Sequence, residues 1–202
     1  DPTPDGALDL DALYRAMTPE VKLLAVTHVS NVLGTVNPVR EICREARRRG
    51  IATVVDGSQA VPHMTVDVAA IGCDFYAFTG HKMCGPTGTG ALWGRREHLQ
   101  AMPPFLGGGE MIREVSFDGT VFNDAPHKFE AGTPNIAGFI GLVVCAAWIE
   151  TFSSDSVNDS FVHVATLGLV LIATPVIGWG LITQMRSRGW IATNTMMGVL
   201  CI

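Results

Sequence analysis

A chain of 202 residues with 48% apolar composition is long enough for one sizeable domain, or for one domain and an appendage. A formal net charge of −5 excludes the basic balance of a nucleic-acid binder, and Arg44, Arg47, Arg48 and Arg49 read as the solvated end of a helix rather than a phosphate-binding patch. Cys43, Cys73, Cys84, Cys145 and Cys201 show neither paired nor zinc-ligand spacing, so reduced thiols and no metal centre are expected. With no signal or transit peptide at its start, and Asp1 in place of a methionine, the sequence reads as a cytoplasmic chain and a fragment.

Asp9 to Met17 carries an N-cap candidate and helical apolar spacing, and stops at Thr18-Pro19. Leu23 to Val26 reads as a short buried strand that ends in the polar run Thr27-His28-Val29-Ser30-Asn31. Pro38 to Arg49 predicts a helix with Val39, Ile42, Cys43 and Ala46 on one face and Gly50 as its stop. Ile51 to Val55 is a second strand, ending at Asp56-Gly57-Ser58-Gln59. A helix near Asp67 to Ile71 and a strand from Cys73 to Phe78 repeat the alternation. This is the pattern of an α/β domain with a mostly parallel sheet and flanking helices. A further strand from Gly90 to Trp93 and a short helix from Arg95 to Met102 are expected, then a flexible loop at Phe105 to Glu110. Lys128 to Asn135 leads into a helix with Pro134 near its start.

Lys82 sits in the glycine-rich stretch Gly80-His81-Lys82-Met83-Cys84-Gly85-Pro86-Thr87-Gly88-Thr89-Gly90, directly after the apolar run Phe75 to Phe78. Glycines permit positive φ and close approach, so Lys82 is expected to point inward from a turn. A lysine so placed can form a Schiff base with a carbonyl. A phosphate-cradling Walker loop is excluded, because no glycine-lysine-Ser/Thr sequence occurs here. Polar groups gather at the carboxyl ends of the strands, where open α/β sheets bind ligands. They are His28 and Asn31, then Asp56 and Gln59, then Thr79, His81 and Lys82. An aldehyde cofactor with an aromatic nitrogen and a phosphate uses such a set, with the lysine on the aldehyde, a carboxylate on the ring nitrogen, and Thr79 and His81 on the phosphate. Each residue also has a plain reading. Asp56-Gly57 alone is a common turn, Asn31 and Gln59 cap backbone groups, His28 is structural, His63 and His98 lie on the surface, and Thr133 begins a helix.

Taken in order, Thr27 to Gly34, Val55 to Ala60, Gly80-His81-Lys82 through Gly90, and Phe129 to Asn135 resemble the large domain of a class V aminotransferase-family enzyme. Within that family the resemblance is to a cysteine desulfurase of the selenocysteine-lyase-like group, and it covers about Asp1 to Leu142. It implies pyridoxal 5'-phosphate as cofactor, with Lys82 as the catalytic Schiff-base lysine and Asp56 on the pyridine nitrogen. Gln59 is assigned to the ring oxygen, Asn31 to the substrate side, and Thr79 and His81 to the phosphate. Thr133 is assigned to the phosphate site of a partner subunit in a homodimer. The implied reaction converts L-cysteine to L-alanine with an enzyme persulfide, whose sulfur passes to an acceptor protein for iron–sulfur cluster assembly. Selenocysteine lyase and a catalytically dead or membrane-tethered remnant are the alternatives. The family's nucleophile lies in an arginine-glycine-histidine-cysteine context that is not found in this sequence.

The character changes near Val143, so the chain divides into an incomplete cofactor-binding domain at 1–142 and a divergent apolar tail at 143–202. From Thr151 onward the only residues of fixed charge are Asp155, Asp159, Arg186 and Arg188, and Phe161 to Thr183 has none. That stretch reads as a transmembrane helix over 161–183, as the tail of a truncated or frame-shifted chain, or as a buried helix pair.

Overall fold

The structure, a computed structural model, describes Thr3, Pro4 and residues 6–152, with side chains described as far as Ala146. The chain alternates helix and strand through α1 (Leu10–Ala16), β1 (Leu23–Thr27), α2 (Val39–Arg48), β2 (Ala52–Asp56), α3 (Val68–Ile71) and β3 (Phe75–Thr79). It continues with β4 (Gly90–Gly94), α4 (Arg96–Ala101), the β5–β6 hairpin (Ile112–Ser116 and Gly119–Phe122) and α5 (Ile136–Phe152). Strands β1, β2 and β3 are parallel, and β4 returns antiparallel to β3, giving the order β1-β2-β3-β4. The mostly parallel sheet matches the expectation.

Local signals set the helix ends. The Asp9 carboxylate accepts the Ala12 N–H at 2.9 Å and caps α1. Val39, Ile42, Cys43 and Ala46 on α2 are all buried, as their spacing predicts. Val39 and Cys43 pack with Val55, Ile71, Cys73 and Tyr76 on one face of the sheet, while Ile42 and Ala46 join Met17 and Ile51 under α1. The arginines at the end of α2 do more than meet solvent. Arg48 and Arg49 pair with Glu45, Arg49 also donates to the Tyr14 and Met17 carbonyls, and Arg47 reaches the Gly72 carbonyl.

Asp74 fixes β3 against β2. Its Oδ2 accepts both the Thr53 N–H, at 2.8 Å, and the Thr53 hydroxyl, at 2.9 Å, and the Asp74 N–H returns to Thr53 Oγ1 at 3.0 Å. Arg95 and His98 approach its other oxygen at 3.1 and 3.3 Å. Burial alone raises the Asp74 pKa, but the Thr53 donors and His98 outweigh it and hold the carboxyl below its ordinary value. His98, expected on the surface, is therefore half-buried and engaged, stacked also against Phe75.

Other expectations also need correcting. β1 is not buried. Among the described residues it is the sheet's edge strand, with α1 and α2 packed on one face, and Leu23 on the other face is 57% exposed. The loop at Phe105 to Glu110 leaves Phe105 and Leu106 exposed and is tied at its end, where Gly109 O accepts the Gly132 N–H at 3.0 Å. The β5–β6 hairpin has no counterpart among the expected elements; its turn is Phe117-Asp118, with Gly119 opening β6 opposite Ser116. The apolar stretch 161–183 lies outside the described residues. Among the described residues, no helix is long and apolar enough to cross a membrane.

Gly57 makes close packing possible at the end of β2. A Cβ at this position would overlap the ring and hydroxyl of buried Tyr76 on the neighbouring strand. Gly57→Ala is expected to destabilise the fold by about 1–3 kcal/mol, the usual cost of overpacking. Urea unfolding checks this, and an unchanged midpoint would contradict it.

Candidate active site

Because the first three strands run parallel and in register, Thr27 lies beside Asp56 and Asp56 beside Ala77, so their carboxyl ends share one edge of the sheet. Side chains alternate across a strand. Val55 and Tyr76 therefore point into the core beneath α2, whereas Asp56, Ala77 and Thr79 share the opposite face.

Asp56 is exposed at this edge. Its Oδ1 accepts the Ser58 N–H at 2.9 Å, which turns the chain after the strand, and no other described residue donates to the carboxylate. Gln59 is half-buried, and its Nε2 donates to His63 Nε2 at 3.2 Å. Thr79 Oγ1 and His81 Nδ1 share a hydrogen bond of 2.8 Å at the start of the next turn.

Lys82 departs from the expected inward pose. Gly80–Met83 forms a 3-10 helix, in which residues three apart eclipse. Gly80 and Met83 take the inward positions and are buried, so His81 and Lys82 are left exposed. The Lys82 ammonium makes no hydrogen bond or ion pair among the described residues. The other lysines are committed, Lys22 to the Pro19 carbonyl at 2.9 Å and Lys128 to the Gln100 carbonyl at 2.8 Å, the latter buried and 5.1 Å from the Phe129 ring.

Helix α5 lies directly on the lysine loop. Cβ atoms added at Gly138 and Gly141 would fall 2.6 Å from Thr89 Cγ2 and Pro86 Cγ, and Leu142 Cδ1 sits over Gly80 and Gly85. The helix runs unbroken through Leu142. Its start is capped by Asn135, whose Oδ1 accepts the Gly138 N–H at 3.0 Å.

The structure thus brings Asp56, Gln59, Thr79, His81 and Lys82 to one edge. Asn31 is exposed on the loop that leaves the same edge after β1. Thr133 is exposed just before α5, and none of its described contacts reaches the lysine turn. Two partners were not picked out from sequence. His63 holds Gln59, a pairing that the i, i+4 spacing encodes, and Tyr76 donates to or accepts from His28 Nδ1 at 2.9 Å. His28 is buried, and its N–H donates to the Asp56 carbonyl at 2.8 Å.

The profile of the class V aminotransferase family matches residues 1–172. A probable cysteine desulfurase of Xylella fastidiosa strain Temecula1 is 71% identical over 155 residues, which cover 77% of this chain and 37% of that relative. The crystal structure of the cysteine desulfurase CsdA (S-sulfonic acid) from Escherichia coli superposes with a TM-score of 0.69 at 46% identity, covering 71% of this chain and 36% of that one. The apo cysteine desulfurase of Thermococcus onnurineus NA1 gives a TM-score of 0.70 at 42% identity, covering 75% and 38%. The chain spans less than two fifths of the length of these relatives.

Burial lowers the His28 pKa, so the imidazole is neutral in the fold. A depressed folded-state value means that the associated stability is complete above the unfolded value, about 6.5, and is lost as pH falls through the folded value. The melting temperature is expected to drop between about pH 7.5 and pH 5, and less steeply in His28→Gln. An identical slope in both proteins would contradict this.

Proposed function

Because the chain belongs to the class V aminotransferase family, we propose that its sheet edge is the pyridoxal 5'-phosphate site of a cysteine desulfurase. The observation that carries the reading is the pairing, at one edge, of an uncommitted lysine amine with a carboxylate that retains free acceptor capacity. The donor set suits that cofactor. An aldehyde takes an amine, a pyridine nitrogen takes a carboxylate, and a phosphate takes hydroxyl and imidazole donors such as the linked Thr79 and His81.

When bound, the cofactor supplies an aldehyde for amino groups and a ring that accepts electrons from the substrate's α-carbon. Lys82 holds the aldehyde and moves the α-proton. Asp56 keeps the ring nitrogen protonated, a charged hydrogen bond of about 1.5–3 kcal/mol. Gln59, oriented by His63, meets the ring oxygen, and Asn31 meets the substrate side. Thr79 and His81 bind the phosphate, and Thr133 serves the phosphate site of a partner subunit in a homodimer.

The substrate on this reading is L-cysteine and the products are L-alanine and an enzyme persulfide. Its sulfur goes to an acceptor protein and on to iron–sulfur cluster assembly in the cytoplasm. The names of the relatives support the substrate class. The division into a cofactor-binding domain at 1–142 and a separate segment at 143–202 belongs to the same proposal.

Titration of the chain with pyridoxal phosphate, followed by visible absorbance, tests this. Removing a charged hydrogen bond in Asp56→Ala is expected to weaken binding by about 10- to 100-fold. Equal affinity of the variant and the parent chain would overturn the assignment of Asp56.

A further inference from the structure

Helix α5 approaches the lysine loop along one stripe, formed by Gly138, Gly141, Leu142 and Cys145 at helical positions i, i+3, i+4 and i+7. The two glycines remove the side chains that would hold the helix off Thr89 and Pro86, and Leu142 covers Gly80 and Gly85. Cys145 is next along the stripe and meets the end of the lysine turn. Its thiol donates to the carbonyl oxygen of Cys84 at 3.1 Å. Cys84 caps the 3-10 helix in the left-handed region at φ 63°, two residues beyond Lys82, and is exposed. Two free cysteines from elements far apart in sequence therefore meet, through the Cys145 thiol and the Cys84 carbonyl, and the Cys84 side chain is open to solvent.

We propose that Cys84 and Cys145 form a reactive dithiol that takes a small-molecule disulfide as oxidant and closes into an intrachain bond. The exposed Cys84 attacks first. Its thiolate forms a bond to one sulfur of the oxidant, and the other sulfur leaves as a thiolate that takes up a proton. The Cys145 thiolate then attacks the Cys84 sulfur of the mixed disulfide, forming the Cys84–Cys145 bond and expelling the second oxidant thiol. The protein's two thiols are oxidised, and the small disulfide is reduced to two thiols. The order follows from exposure, and it agrees with the Cys145 thiol being pushed up by burial and by the adjacent Cys84. Cys43 and Cys73 are buried in the sheet–helix core. Burial pushes the Cys73 thiol up to about 11, so neither competes for the oxidant. Closure ties the turn that carries Lys82 to α5. The dithiol rests on the Cys145–Cys84 contact and the exposure of Cys84, and is independent of the cofactor reading.

The test is incubation of the full chain with oxidised glutathione, followed by alkylation and non-reducing peptide mapping. A linked peptide containing Cys84 and Cys145 is expected, with Cys43 and Cys73 alkylated only after unfolding. Cys145→Ser is expected to stop at a glutathione mixed disulfide on Cys84, and Cys84→Ser to lower modification of Cys145 by about tenfold or more. The proposal is overturned by a mixed disulfide that persists on Cys84 in the unsubstituted chain, by pairing of Cys145 with Cys43, Cys73 or Cys201, or by a Cys84–Cys84 link between copies.

Discussion

The parallel register of β3 on β2 is the constraint on which the rest depends, and Asp74 enforces it. One carboxylate oxygen takes both donors of Thr53, and the other faces Arg95 and His98. Hydrogen bonds to a charged group contribute about 1.5–3 kcal/mol each, so a slip of one residue would forfeit several at once. Such a slip would also reverse every side chain of the strand. Thr79 would then leave the face of the sheet that carries Asp56.

The same strands are fastened at the opposite end by tight packing. Tyr76 fills the space left by Gly57 and bonds His28, whose own N–H reaches the Asp56 carbonyl. Core packing thereby places the Asp56 backbone, and alternation sends its carboxylate out of the core. Beyond β3 the chain enters a turn with a period of three residues. The turn buries Met83 and leaves Lys82 without a partner among the described residues, while Lys22 and Lys128 are both held by carbonyls. The chain thus presents a carboxylate at the end of β2 and a primary amine on the turn after β3, a turn against which the glycine-bearing stripe of α5 packs. This economy of free polar groups gives the edge its chemical character.

Elements whose signal is local were legible in the sequence. The face of α2, the Asp9 cap and the polar residues closing each strand all follow from spacing and side-chain chemistry. Features decided by neighbours distant in sequence were not. Leu23 to Val26 has the composition of a buried strand, and its edge position depends on which strands flank it. His98 has no local mark that foretells Asp74, and the direction of Lys82 depends on a 3-10 period that glycine content does not specify. The β5–β6 hairpin has no counterpart among the sequence expectations, because its strands alternate no buried face: all of β5 is exposed. Asp56, Gln59, Thr79, His81 and Lys82 stand at or just beyond the strand ends, as the sequence order suggests, whereas Lys82 turns outward and Thr133 lies apart before α5.

The proposed site turns on Lys82 as the amine that would take a carbonyl. Its most direct test is borohydride reduction of the full chain in the presence of pyridoxal phosphate, with peptide mapping of the reduced adduct. Attachment of the pyridoxyl group at Lys82, with Lys22 and Lys128 unmodified, is expected. Attachment spread equally over the lysines, or absent from Lys82, would contradict it.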